Sequence, residues 1–400
     1  MRWQPITDRA LRSRAGRAIR ELAAILAEPV AGASPSLALG DAGTAVFFAY
    51  LARASFPVKH AADRARVHAR RAAQAVGDAG LPLGLFGGVA GIAWMLDHLR
   101  GAELPRRDLC GELDAALRGA IAGGALDGEI DLVHGLCGIG VYAIARRDHA
   151  LASRVVARLR ACSAARGEGV VWARPGAPVD LGAAHGLVGL VAMLGQARGA
   201  RVPGATMLCR GALRSLLGHA RWDRASVFPA FAVLGDAAPG NVAIGDSAVG
   251  DSAVGGAALR DSAVGDFARG NVALGDAVHG DAARADAARG DVAVGGVAAG
   301  DARLAWCYGD IGAMCALQTV AEATGDARLR ETALRVARAA AVRAPASSGV
   351  VDCGICHGAA GVAFGLQRMF VASGELALRD AARDWLAGAL DEGIPVGLRD

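Results

Sequence analysis

The sequence is poor in aromatic residues, in lysine and in long apolar segments. Aromatic residues make up 4% of the 400 positions, and Lys59 is the single lysine among 43 basic residues. The arginines are scattered, no basic run is interleaved with aromatic side chains, and the net charge is +4, so we expect no nucleic-acid partner. Because 53% of the residues are hydrophobic and 20% are charged, a large core is expected and wholesale disorder is excluded.

No segment has the form of a secretory signal or the length of a membrane span. The first twenty residues are basic and lack the apolar stretch of about 7–15 residues that a signal requires. The longest uncharged apolar run, Leu83–Leu96, has 14 residues, and a span needs about 20. The eight cysteines are then expected to be reduced thiols, available for metal binding or catalysis. We therefore expect a cytoplasmic protein.

A Gly-x-x-Gly unit followed by an apolar segment recurs along the chain. The intervals between first glycines are 48, 47, 51, 123 and 49 residues. The apolar segments are typical of buried helices, and the segments between them, such as 62–76, 151–165 and 328–343, are amphipathic. This alternation predicts an all-α fold, an α/α toroid with inner helices around an axis and outer helices packed on them. The alternative is an open solenoid of the HEAT type. The first glycines are Gly40, Gly88, Gly135, Gly186, Gly309 and Gly358.

The long interval contains a repeat of another kind. Between Gly240 and Leu304 a unit of the form Gly-(Asp/Asn)-x-Ala-apolar recurs 13 times over 65 residues, and without it the interval is 58. We interpret it as a pentapeptide-repeat array, 240–304, inserted between toroid segments 1–239, with four glycine units, and 305–400, with two. A right-handed β-helix would need bulky apolar residues where this array often has serine or alanine, so a flexible insert is favoured.

Three ligand-type residues precede the glycines of two consecutive units. Cys307 lies two residues before Gly309, and Cys356 and His357 directly precede Gly358. In a ring of equivalent units these residues lie on one rim, so we expect their side chains to meet. Two thiolates and an imidazole, with a fourth place open, are typical of a catalytic zinc site. The alternative, a buried structural thiol, is expected for Cys110, Cys137, Cys162, Cys209 and Cys315, and Cys353 is expected to be a spectator outside the repeat register.

Other polar side chains share the same rim. His185 precedes Gly186, His134 precedes Gly135, Asp131 lies four residues before Gly135, and Arg303 lies four residues before Cys307. A histidine near a bound electrophile suits general acid or base catalysis, and a nearby carboxylate would orient it. Taken alone, either histidine is more often structural than catalytic.

Five motifs together, WCYGDIG, CHGAAG, AHGLVG, DLVHGLCG and LFGGVAG, resemble the lanthionine synthetase C-like cyclase family over roughly residues 36–370, apart from the array. The resemblance implies an α/α toroid with a zinc ion at its mouth. It also implies the activity, in which zinc activates a peptide cysteine whose thiolate adds to dehydroalanine or dehydrobutyrine, forming a lanthionine or methyllanthionine ring. The implied partners are a dehydrated precursor peptide, a separate dehydratase and a membrane exporter complex.

The motifs assign a role to individual residues. Cys307 in WCYG and Cys356 and His357 in CHG match the zinc ligands of the family. His185 in AHGLVG matches its catalytic histidine, whereas His134 matches no functional residue. The resemblance further implies an aspartate of the family motif and two residues flanking the first ligand, namely Asp131, Arg303 and Tyr308.

The sequence keeps two alternative functions open. The family has seven glycine units and this sequence shows six, so the chain could be a degenerate cyclase-like protein that binds a peptide or thiol without turnover. Other toroid enzymes, such as prenyltransferase-like zinc proteins and glycosidases, are a weaker alternative. A glycosidase needs two positioned carboxylates in its cavity, for which the rim offers chiefly Asp131 and Asp310.

Overall fold

The computed structural model describes residues 6–77, 80–172, 178–232 and 301–392. The predicted pentapeptide array lies outside these ranges, except for its last four residues. The described helices are α1 Arg9–Ile25, α2 Asp41–Arg53, α3 Ala61–Gln74, α4 Val89–Leu99, α5 Gly111–Ala122, α6 Leu136–Arg146, α7 His149–Ala161, α8 Leu187–Gly199, α9 Ala205–Gly218, α10 Asp310–Thr324, α11 Ala327–Ala341, α12 Ala359–Ser373 and α13 Leu376–Glu392. Short 3-10 turns span 75–77 and 345–347, and the strands are β1 Ala164–Arg166, β2 Gly169–Val171, β3 Val179–Asp180 and β4 Phe231–Ala232.

Inner and outer helices alternate along the chain, as the sequence predicts. The inner layer consists of the even-numbered helices in the order α2, α4, α6, α8, α10 and α12, and each of them contacts the next. Each inner helix also packs against the outer helix that follows it. Helix α8 shows the burial of an inner helix, because Leu187, Val188, Leu190 and Val191 are each at most 2% exposed although they point in different directions.

The first and last described helices meet. Helix α1 contacts α13, Arg383 Nη2 donates to Asp8 Oδ2 at 2.7 Å, and Arg14 pairs with Asp391. This contact joins the two ends of the outer layer, which an open solenoid would leave apart. In the part of the chain that the structure describes, no helix is long and apolar enough to cross a bilayer.

Backbone hydrogen bonds link the loops that precede the inner helices. The amides of Ala38, Phe86, Leu132, Ala183 and Trp306 each donate to a carbonyl of the next loop, at 2.8–3.1 Å. The acceptors, in the same order, are the carbonyls of Phe86, Val133, Ala184, Cys307 and Cys356. Five links thus tie six loops into one rim and hold the residues ahead of each glycine pair in register.

Four short strands depart from the purely helical prediction. Strands β1 and β2 form an antiparallel hairpin that turns at Gly167, with φ +53, and β3 pairs antiparallel with β4. Strands are predicted from an alternation of apolar and polar residues over four or more positions. Strands of two or three residues are too short to show this pattern, so the sequence does not predict them.

The segments on either side of the undescribed range 233–300 lie next to each other. The Ala302 amide donates to Ser226 Oγ at 3.2 Å, and the buried carboxylate of Asp310 accepts from the amides of Val227 at 3.3 Å and Phe228 at 2.9 Å. The two described segments therefore meet immediately before helix α10.

Among the first glycines, all of which the structure describes, Gly309 alone has a positive φ. Its φ of +83 and ψ of −156 lie in a region open essentially to glycine alone, and a Cβ there would approach the Arg303 carbonyl oxygen to 2.6 Å. We predict that Gly309→Ala lowers the free energy of unfolding by about 3 kcal/mol, measured by urea denaturation. Gly218→Ala is the control, because a Cβ at Gly218 meets nothing within 4 Å; an equal loss in both variants would contradict the prediction.

Candidate metal centre and catalytic site

The structure brings the three sequence-predicted ligands together at the rim. The ligand atoms of Cys307, Cys356 and His357 all lie within 4.8 Å of one another. Both thiols are half-buried, whereas the imidazole is exposed. The amides of Trp306 and Cys307 donate to the Cys356 carbonyl at 2.9 and 3.3 Å, so the backbone itself presses the two cysteine loops together.

The donor set of this cluster fits zinc. Sulfur and neutral imidazole suit zinc, whereas magnesium and calcium prefer oxygen ligands. Three protein ligands also leave one place of a tetrahedron open, as catalytic zinc sites do. Cys353 does not belong to the cluster, in agreement with its predicted spectator role.

The two thiols of the cluster shift each other's pKa in opposite directions. A hydrogen bond from the Cys307 thiol, helped by His357, lowers the pKa of Cys356 to about 5. The same hydrogen bond, together with burial, raises the pKa of Cys307. The hydrogen bond with Cys356 and the charge of Asp352 raise the pKa of His357. A bound cation would take the place of the thiol protons of the cluster.

His185 and Asp131 form the second pair of the rim. His185 Nδ1 lies 3.3 Å from Asp131 Oδ2, and the side chains are 22% and 8% exposed. Burial opposes ionisation of Asp131, but the neighbouring His185 imidazole and a hydrogen bond from the His134 backbone N–H, at 2.6 Å, hold its pKa below the ordinary value. The positive charge of His185 also lowers the pKa of Cys356, so this imidazole is close enough to act on the sulfur cluster. Asp131 leaves Nε2 as the ring nitrogen available for proton transfer.

Arg303 and Tyr308 lie on either side of Cys307. The half-buried Arg303 lowers the pKa of Cys307 and of His357 through its charge. Tyr308 donates from its hydroxyl to Asp180 Oδ2 at 3.1 Å, and its ring lies 5.5 Å from that of Phe231 in β4. Arg303 therefore adds positive charge beside the cluster, and Tyr308 is held in place by Asp180 and Phe231.

One residue of the site was not identified from the sequence, and another was placed on the rim without a role. Asp180 holds Tyr308 and also accepts from the Gly182 amide at 2.7 Å, but it is 128 residues from Tyr308 and no motif marks it. His134 was singled out and given no role, yet its ring stacks on His185 with centroids 6.0 Å apart. Its place before Gly135, equivalent to that of His185 before Gly186, is the signal that puts both histidines on the same rim.

The remaining candidates are structural. Asp310 is 0% exposed, and its carboxylate accepts hydrogen bonds from the backbone amides of Val227 and Phe228. Burial raises its pKa to about 6. It does not face the mouth, so the two cavity carboxylates of a glycosidase are not provided by Asp131 and Asp310. Burial also raises the pKa of four thiols outside the cluster, namely Cys110, Cys137, Cys209 and Cys315.

Comparison with known proteins confirms the resemblance. The sequence profile of the lanthionine synthetase C-like protein family matches residues 33–217 and 291–399. None of the curated proteins compared matches the chain. Among solved structures, nisin cyclase superposes with a TM-score of 0.64 at 15% sequence identity, covering 96% of this chain and 88% of that chain. This likeness shows that the chain has the α/α toroid fold of a lantibiotic cyclase. With the profile covering well over half of its length, the chain belongs to the lanthionine synthetase C-like family.

Proposed function

We propose that the protein is a zinc-dependent cyclase that forms lanthionine or methyllanthionine rings in a dehydrated precursor peptide. The observation that carries this proposal is the convergence of Cys307, Cys356 and His357 within 4.8 Å at the mouth of a cyclase-type toroid. These three residues would hold the ion. When bound, zinc supplies a Lewis acid that keeps a coordinated substrate thiol deprotonated near neutral pH.

The reaction is an addition that needs no oxidant, reductant or leaving group. The sulfur of a peptide cysteine forms a bond to the β-carbon of dehydroalanine or dehydrobutyrine. The π-electron pair moves toward the α-carbon and its carbonyl oxygen, and the α-carbon then takes a proton, so that one S–H and one C=C are replaced by one S–C and one C–H.

His185 is the proposed donor of the α-proton. Asp131 Oδ2 lies 3.3 Å from its Nδ1, which fixes the orientation of the ring. Arg303, whose charge already acts on Cys307 and His357, is proposed to stabilise the negative charge that develops on the carbonyl oxygen during addition. Tyr308, anchored by Asp180, is proposed to shape the peptide channel rather than to transfer protons.

The test uses the full chain and a synthetic peptide that contains one dehydroalanine and one cysteine. We expect one zinc per chain by elemental analysis and loss of the peptide thiol at unchanged peptide mass. The peptide is denatured and alkylated before mass spectrometry, because a cyclised cysteine then stays unmodified and a merely bound one is alkylated. Zinc without ring formation would indicate the non-catalytic alternative, and a chain without zinc at any loading would overturn the proposal.

A further inference from the structure

The exposed imidazole of the metal cluster has a second partner that no motif indicates. His357 Nε2 lies 3.0 Å from Asp352 Oδ2. The two side chains are 47% and 36% exposed, so a simple surface ion pair between them would contribute little. The contact nevertheless distinguishes the two ring nitrogens. Because Nε2 faces Asp352, Nδ1 is the nitrogen that can serve as a ligand in the cluster with Cys356.

The other oxygen of Asp352 is also occupied. Oδ1 accepts the Gly354 amide at 2.6 Å, and the backbone carbonyl of Asp352 accepts the Ala359 amide at 2.8 Å. Asp352 is therefore fixed at the start of the loop that carries both Cys356 and His357. Its carboxylate cannot rotate away from the imidazole without breaking the hydrogen bond to Gly354.

From this arrangement we propose that Asp352 is a positioning residue for the metal centre, an inference that rests on the zinc site proposed above. Asp352 accepts Nε2–H of His357, which fixes the neutral tautomer with a lone pair on Nδ1 and aims that lone pair at the ion. Metal-bound histidines commonly donate their second N–H to a carboxylate, and loss of such a partner typically weakens metal binding by about 10- to 100-fold.

Asp352→Asn is the sharpest variant, because it separates the two functions of this side chain. Asparagine keeps an oxygen for the Gly354 amide, so the loop retains its hydrogen bond. With its oxygen held by the Gly354 amide, the asparagine directs its NH2 group toward His357 Nε2, which must then accept a hydrogen bond. The ring proton therefore moves to Nδ1, where it competes with the metal for the lone pair. The loop is preserved while the tautomer is reversed.

The experiment measures zinc affinity by competition with a chromophoric chelator in the full-length protein. We expect Asp352→Asn to bind one zinc about 10- to 100-fold more weakly than the unmodified chain, and Asp352→Glu to recover part of the loss. In zinc-loaded protein labelled with 15N-histidine, the unmodified chain should show an exchange-protected Nε2–H resonance for His357, which Asp352→Asn loses. A purely structural effect on the loop would not change the tautomer.

Asp326→Asn is the matched control. Asp326 accepts the amides of Arg328 and Leu329 at the start of helix α11, asparagine caps helices equally well, and no change in zinc affinity is expected. Equal zinc affinity and an unchanged His357 resonance in Asp352→Asn would overturn the role of Asp352 and leave the metal site intact. Absence of zinc from the unmodified chain would instead remove the proposed function.

Discussion

Cys307→Ala is expected to abolish both zinc binding and ring formation. The variant removes one of three converging donors, and the thiol that donates a hydrogen bond to Cys356 is lost with it. The variant retains two protein ligands, whereas catalytic zinc sites use three. We predict less than about one tenth of a zinc equivalent after dialysis and at least a ~100-fold slower loss of the peptide thiol.

Cys353→Ala is the control for this prediction, because it lies in the same loop as Cys356 and outside the cluster. It should keep a full zinc equivalent and near-normal turnover. The cysteine at 307 is half-buried, so circular dichroism and urea denaturation should accompany the metal analysis to show that the variant is folded. A folded Cys307→Ala variant that retains stoichiometric zinc would remove this residue from the ligand set.

The rim of the toroid explains why so much of the site could be predicted from one sequence. The glycine pairs mark where inner helices begin, and residues ahead of them are placed by equivalent loops. Cys307 and Cys356 lie 49 residues apart, yet they meet because the amides of Trp306 and Cys307 both bond to one carbonyl of the neighbouring loop. Because equivalent positions of consecutive repeats lie next to each other in such folds, their spacing in the sequence predicts their contact in the structure.

The partners of the site residues could not be predicted in the same way. Asp180 reaches Tyr308 from a strand of two residues, and Asp352 reaches His357 through the detailed path of an irregular loop. Neither contact follows from periodicity, because each depends on side-chain rotamers and on loop conformation. The pairing of His185 with Asp131 was inferred only in outline, from two residues on the same rim, and its 3.3 Å separation comes from the structure.

His185→Asn is predicted to leave zinc in place and to slow ring formation by about 10²- to 10⁴-fold, the usual contribution of general acid–base catalysis. Asparagine is of similar size and can still bond to Asp131, but it cannot deliver a proton at neutral pH. The measurement combines zinc content with the rate of thiol loss. His134→Asn is the matched control, since that ring stacks on His185 and the hydrogen bond of His134 to Asp131 comes from its backbone N–H, which the substitution keeps; less than a ~10-fold effect is expected.

The stereochemistry of the product gives a second and independent measure of the role of His185. Protonation creates a stereocentre at the α-carbon, and a single donor fixed by Asp131 delivers its proton to one face. If water replaces that donor in His185→Asn, the residual product should contain both diastereomers, resolved by chromatography of the hydrolysed lanthionine. A variant that formed one diastereomer at the normal rate would show that the α-proton comes from another group.

Arg303→Gln should differ from His185→Asn. Loss of oxyanion stabilisation slows the addition, but His185 still delivers the proton to one face, so the product should remain a single diastereomer.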